Sequence, residues 1–134
     1  MNASDYGSVK VIEFSNNITN EEIVECSDVL TKWASDNRDY AVITYMPQGA
    51  KTVTDLSSIN KALASIKGSK LRIYGIQNSP VASFLANVVG QLLGLTLVQA
   101  RDYASLLDKI GNDNPDFRAD IEQYNLAEQV KSLA

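Results

Sequence analysis

The chain of 134 residues contains no histidine. That removes the usual general base near neutral pH, the usual zinc nitrogen ligand and every nucleophilic triad built on imidazole. Cysteine occurs once, at Cys26, so an internal disulfide is excluded and no C-x-x-C pair exists. Basic charge is also short: 12 Lys and Arg stand against 16 Asp and Glu, a net charge of −4. No electrostatic footprint for a nucleic acid backbone or an anionic membrane surface results, and nucleic acid is not an expected partner. A leading stretch with Asn2, Ser4, Asp5 and Ser8 lacks the basic and then apolar order of a signal peptide, so a cytoplasmic location is expected. Neither G-x-G-x-x-G nor G-x-x-x-x-G-K-[ST] is present, which leaves no nucleotide-binding fingerprint and implies no cofactor.

What the chain does have is a rhythm. Four β-branched or aromatic runs, Val9 to Phe14, Tyr40 to Met46, Leu71 to Ile76 and Leu95 to Ala100, are each followed by apolar residues at helical spacing. Strand and helix in alternation imply an α/β fold with a mostly parallel sheet, and the length suits one domain. The first run mixes charge with apolar residues on both sides of its alternation, as a strand near a sheet edge does. The second is apolar on both faces and suits the centre of the sheet.

Helix starts and stops can be placed. Thr19 with Glu22 forms a capping box, in which the hydroxyl accepts from an orphan amide and the carboxylate returns to the cap. The helix that follows buries Ile23, Cys26, Leu30 and Trp33 and turns Glu22, Glu25, Asp28 and Lys32 outward. A thiol on such a stripe is ordinarily inert, and Trp33 reads as packing. Asp55 caps the next helix, whose inward row is Leu56, Ile59, Leu63 and Ile66. Ser79 and Pro80 mark a third start. Asp102 caps a short helix ended by Gly111, and Asn114-Pro115 opens a last amphipathic helix with Phe117, Ile121, Tyr124 and Val130 on one side. That helix packs either on its own domain or across a two-fold axis of a dimer.

No charged residue occurs from Ile73 to Ala100. A membrane span needs about 20 continuously apolar residues, whereas Asn78, Ser79, Pro80, Ser83, Asn87 and Gln91 interrupt this stretch, so no transmembrane segment is expected. Its apolar arc, which includes Phe84, Val88 and Leu92, is wider than one core stripe requires. Either the C-terminal segment or a neighbouring helix covers it, or it meets a second chain, a protein partner or a small apolar ligand. The segment Gly75 to Ser79, with Asn78 and Ser79 at a helix start, is the one candidate anion site at the carboxyl ends of the strands. A phosphoacceptor receiver domain fits badly, since Phe14-Ser15-Asn16 has no acidic pair and the run ending at Met46 has no aspartate.

The stretch Val11-Ile-Glu-Phe-Ser15, Ile18-Thr19 and Glu21-Glu22 resembles the opening of SpoIIAA-like proteins of the STAS superfamily. Leu71-Arg-Ile-Tyr-Gly-Ile76, Leu95 to Ala100 and Asp102-Tyr-Ala-Ser-Leu-Leu107 are similar to their closing half. The resemblance spans residues 8–111 and leaves 112–134 as an added C-terminal helix. It implies a β-α-β-α-β-α-β-α order, a four- to five-stranded sheet with helices mainly on one side, and a non-enzymatic regulatory module that docks on protein partners. In anti-sigma-factor antagonists of this group the switch is a phosphorylated serine in an Asp-Ser-Ser-Gly run at a helix N-terminus. The corresponding place here reads Asp55-Leu56-Ser57-Ser58-Ile59, so Leu56 intervenes and no glycine follows. A phosphate on Ser57 or Ser58 would add about −1.5 to −2 charge beside free helix amides. The resemblance extends equally to apolar-ligand or membrane-associated modules, which the arc from Val81 to Leu93 would suit.

Overall fold

The computed structural model describes residues 1–47, 49–52, 64–67, 69–76 and 96–131. Five strands form one mixed sheet: β1 (Asn2–Tyr6), β2 (Val9–Glu13), β4 (Tyr40–Tyr45), β6 (Leu71–Ile76) and β7 (Thr96–Ala100), side by side in that order. β1 is antiparallel to β2, and the other three pairings are parallel. Beyond the sheet, β3 (Asn17–Ile18) and β5 (Lys51–Thr52) form a short parallel ladder. The four described helices are α1 (Asn20–Ala34), α2 (Tyr103–Asp113), α3 (Pro115–Gln123) and α4 (Leu126–Lys131), and one 3-10 turn spans Ala64–Ile66. The chain is therefore α/β, as its alternation predicts.

β1 is too polar to announce itself as a strand, and it takes the edge of the sheet beside β2. Gly7 takes a φ of +72° at the first position of a two-residue turn, where glycine alone carries no steric penalty. The resulting hairpin lays β1 along β2, so β1 is the edge strand and β2 stands next to it, near the edge as its mixed pattern predicts. Lys10 is buried there, with its ammonium 2.6 Å from Asp5 Oδ1 and above the rings of Tyr40 (4.7 Å) and Trp33 (5.7 Å). Ion pair and ring faces together replace the water that the cation loses. β4 is the central strand, as expected, with Tyr40, Ala41, Val42 and Ile43 all buried.

The alternation of side chains divides the core into two layers. Ile12, Tyr40, Val42 and Leu71 meet Cys26 and Leu30 of α1 and Ile66 of the 3-10 turn. Val9, Val11, Ala41, Ile43 and Tyr74 point the other way and are covered by Leu106, Leu107 and Ile110 of α2, Phe117 of α3, and Leu126 and Val130 of α4. The parallel strands follow one another across the sheet without reversal, and of the described segments between them α1 and the 3-10 turn cover the first face. The opposite face is as apolar as the first, and α2, α3 and α4, which follow β7, pack on it. The described helices lie on both faces, α1 on one and α2, α3 and α4 on the other. The C-terminal segment packs on its own sheet.

Local details also depart from expectation. Thr19 Oγ1 accepts from the Glu22 amide at 3.3 Å, but the Glu22 carboxylate does not return to the cap. It is buried instead and accepts from the Ser15 amide (2.8 Å) and the Ser15 hydroxyl (2.6 Å), with the amino group of Met1 at 3.2 Å. Gly111 does not end α2, which runs on to Asp113; its missing side chain leaves room for Arg118, whose Nε would stand 3.3 Å from an added Cβ. The last helix is two helices. Asn125, at φ +51°, breaks it and returns Leu126 and Val130 to the core. Among the described residues no helix is long and apolar enough to cross a membrane.

Candidate functional site

Parallel α/β sheets offer ligands the ends at which their strands finish. In this molecule that edge carries Glu13, Tyr45, Ile76 and Ala100 as the last residues of β2, β4, β6 and β7. The chain leaves β7 through Arg101 and Asp102 and turns at once into α2. Asp102 makes that turn possible: in an extended conformation it accepts the Ser105 amide on Oδ1 at 2.8 Å. The hydrogen bonds from Ser105 hold its carboxyl below the ordinary range.

Tyr103, the first residue of α2, sets its ring against that of Tyr45 with centroids 6.3 Å apart. Its hydroxyl is buried and has no hydrogen-bond partner among the described residues. Burial raises the phenol pKa, and the neighbouring Tyr45 and the charge of Glu13 raise it further. One turn along, Leu107 faces the same way, and α4 crosses over to bring Val130 and Ala127 opposite. Together with Ile76 and Ala104 they enclose a cleft of about 410 Å³. Leu107 and Val130 form its buried inner wall, while Arg101 and Lys131 stand exposed at the rim. Neither cation has an ion-pair partner among the described residues.

A second, larger depression of about 870 Å³ lies at the opposite edge, between the Gly7-Ser8 turn, the segment from Asp36 to Tyr40, and α3. Three of its carboxylates, Asp5, Asp36 and Asp120, hold those pieces together, while Arg38, Asp39, Lys70 and Asp116 add further charge to its lining. Asp120 accepts from Ser8, Asp36 accepts from the Tyr40 hydroxyl at 2.7 Å, and Asp5 is paired with Lys10. The carboxyl-edge cleft differs in its interior, which is lined by carbon, with charge only at its rim.

The candidate residues Asp55, Ser57 and Ser58, the pair Asn78 and Ser79, and the apolar trio Phe84, Val88 and Leu92 lie outside the described residues. Cys26 is buried on α1, where burial above all, with the charges of Glu22 and Glu25, pushes its thiol pKa up to about 12. It is unreactive as a nucleophile at neutral pH. The cleft residues were partly visible in sequence, since Asp102 reads as a cap and Val130 as part of an apolar stripe. No periodicity says that α4 crosses the first turn of α2. Compared with family models, curated proteins and solved structures, the chain matches none.

Proposed function

We propose that this protein is a non-enzymatic binding module whose carboxyl-edge cleft takes a small apolar ligand. The observation that carries the reading is the cleft itself: about 410 Å³ walled by Ile76, Ala104, Leu107, Ala127 and Val130. Its volume falls in the range of small-molecule sites and its walls are carbon, which favours transfer of an apolar body out of water. The polar groups nearby do not form an acid–base pair. The Asp102 carboxylate is engaged by Ser105, and the Tyr103 hydroxyl is buried with its pKa raised. A chain without histidine supports the same view. The regulatory reading, with Ser57 or Ser58 phosphorylated and a protein partner docking there, rests on the SpoIIAA resemblance and stands second.

The test is a titration of isotope-labelled protein with 1-decanol followed by amide chemical shifts. Saturable shifts centred on Ile76, Ala104, Leu107 and Ala127 are expected, and they vanish in Ala127→Trp, which fills the mouth from an exposed helix position. Absence of saturable shifts, or shifts centred elsewhere, overturns the reading.

A further inference from the structure

Resting on that reading of the cleft, we infer that its ligand is a single-chain amphipathic monoanion: an alkyl carboxylate with its tail on Leu107 and Val130 and its head between Arg101 and Lys131. The apolar wall alone would accept any hydrocarbon. Charge at the rim supplies the selection. The chain carries more acidic than basic residues, yet two cations flank this mouth without ion-pair partners among the described residues. The one rim carboxylate, Asp102, turns an oxygen to the Ser105 amide and caps α2.

Among the residues that line the cleft, two cations and one anion leave a single positive charge, which suits one carboxylate; Glu13, whose charge reaches the Tyr103 phenol, stands outside that lining. A cationic amphiphile meets like charge at the same place, and a neutral alcohol forms no ion pair there. A bilayer surface is a poorer match, because an anionic membrane is recognised by clusters of several basic residues rather than two. The free carboxylate is therefore the assigned source.

The experiment measures the affinity of decanoate, 1-decanol and decyltrimethylammonium for the full chain by calorimetry, with vesicles of anionic phospholipid as a further arm. Arg101→Gln/Lys131→Gln and Ala127→Trp are the variants, and thermal melts confirm that each is folded. Decanoate is expected to bind the unaltered protein about tenfold more tightly than 1-decanol, a difference of 1.4 kcal/mol, and decyltrimethylammonium more weakly than either. The double variant abolishes the preference for decanoate and leaves 1-decanol unchanged, and Ala127→Trp removes both. Raised salt weakens decanoate alone.

Equal binding of decanoate and 1-decanol, or full decanoate affinity in the double variant, overturns the headgroup assignment while the cleft reading survives. Failure of both ligands to bind overturns the two together. Vesicle binding lost in the double variant, without binding of free decanoate, assigns the rim to a membrane and also overturns the inference.

Discussion

Asp120 of α3 accepts two hydrogen bonds from Ser8, one from the amide at 2.7 Å and one from the hydroxyl at 2.6 Å. The residues lie 112 positions apart. Their contact fastens the turn of the N-terminal hairpin to the C-terminal helices. It also explains why residue 7 has no side chain, since a Cβ there would stand 2.6 Å from Asp120 Oδ2.

Replacing Gly7 by alanine meets both a positive φ and that carboxylate. A loss of about 1–3 kcal/mol is expected from urea unfolding. In the Asp120→Ala background the carboxylate is gone and only the backbone term is left, so the same replacement costs less. Equal losses in the two backgrounds would show that Asp120 does not crowd the turn.

Tyr103→Phe removes a buried hydroxyl that has no partner among the described residues, and leaves the ring against Tyr45. Relieving that unpaired group is expected to raise stability by about 1 kcal/mol. A fall in the unfolding midpoint instead would mean that the hydroxyl is satisfied in solution and that the wall of the cleft is more polar than described.

Glu22 sets a pH dependence. Burial raises its pKa, but the hydrogen bonds from Ser15 and the nearby terminal ammonium outweigh this, and the net shift is downward from the ordinary 4.5. A carboxyl whose folded pKa is depressed adds stability above its unfolded pKa and loses it as pH falls through the folded value. The stability difference between the unaltered protein and Glu22→Gln is therefore greatest near neutral pH and shrinks as pH drops below about 4.5. Unfolding curves at stepped pH check this, and a gap that stays constant to low pH refutes it.

The parts of the fold legible in sequence are those whose signal is local. β4 is apolar on both faces because both faces are covered. Asp102 and Asn114 act as caps at the predicted places, because a short side chain reaching the amide two or three residues on needs nothing from the rest of the molecule. The misreadings share a tertiary cause. The burial of Lys10 has no local signal, because only Asp5, Tyr40 and Trp33, distant in sequence or on a strand too polar to recognise, make it tolerable. Glu22 fits a capping box until Ser15 competes for its carboxylate. Gly111 reads as a stop until Arg118 packs against it. The cleft depends on α4 folding back after Asn125, which no periodicity announces.

The division of the core between early and late parts of the chain has a consequence for biogenesis. Strands β2, β4 and β6 and helix α1 emerge from the ribosome before Phe117, Leu126 and Val130, the residues that close the second face. Until α2, α3 and α4 arrive, none of the described helices shields Val9, Val11, Ala41 and Ile43 of the nascent sheet. Synthesis of the last third is thus the interval in which the unfinished polypeptide is most sticky, and in which chaperone contact counts most.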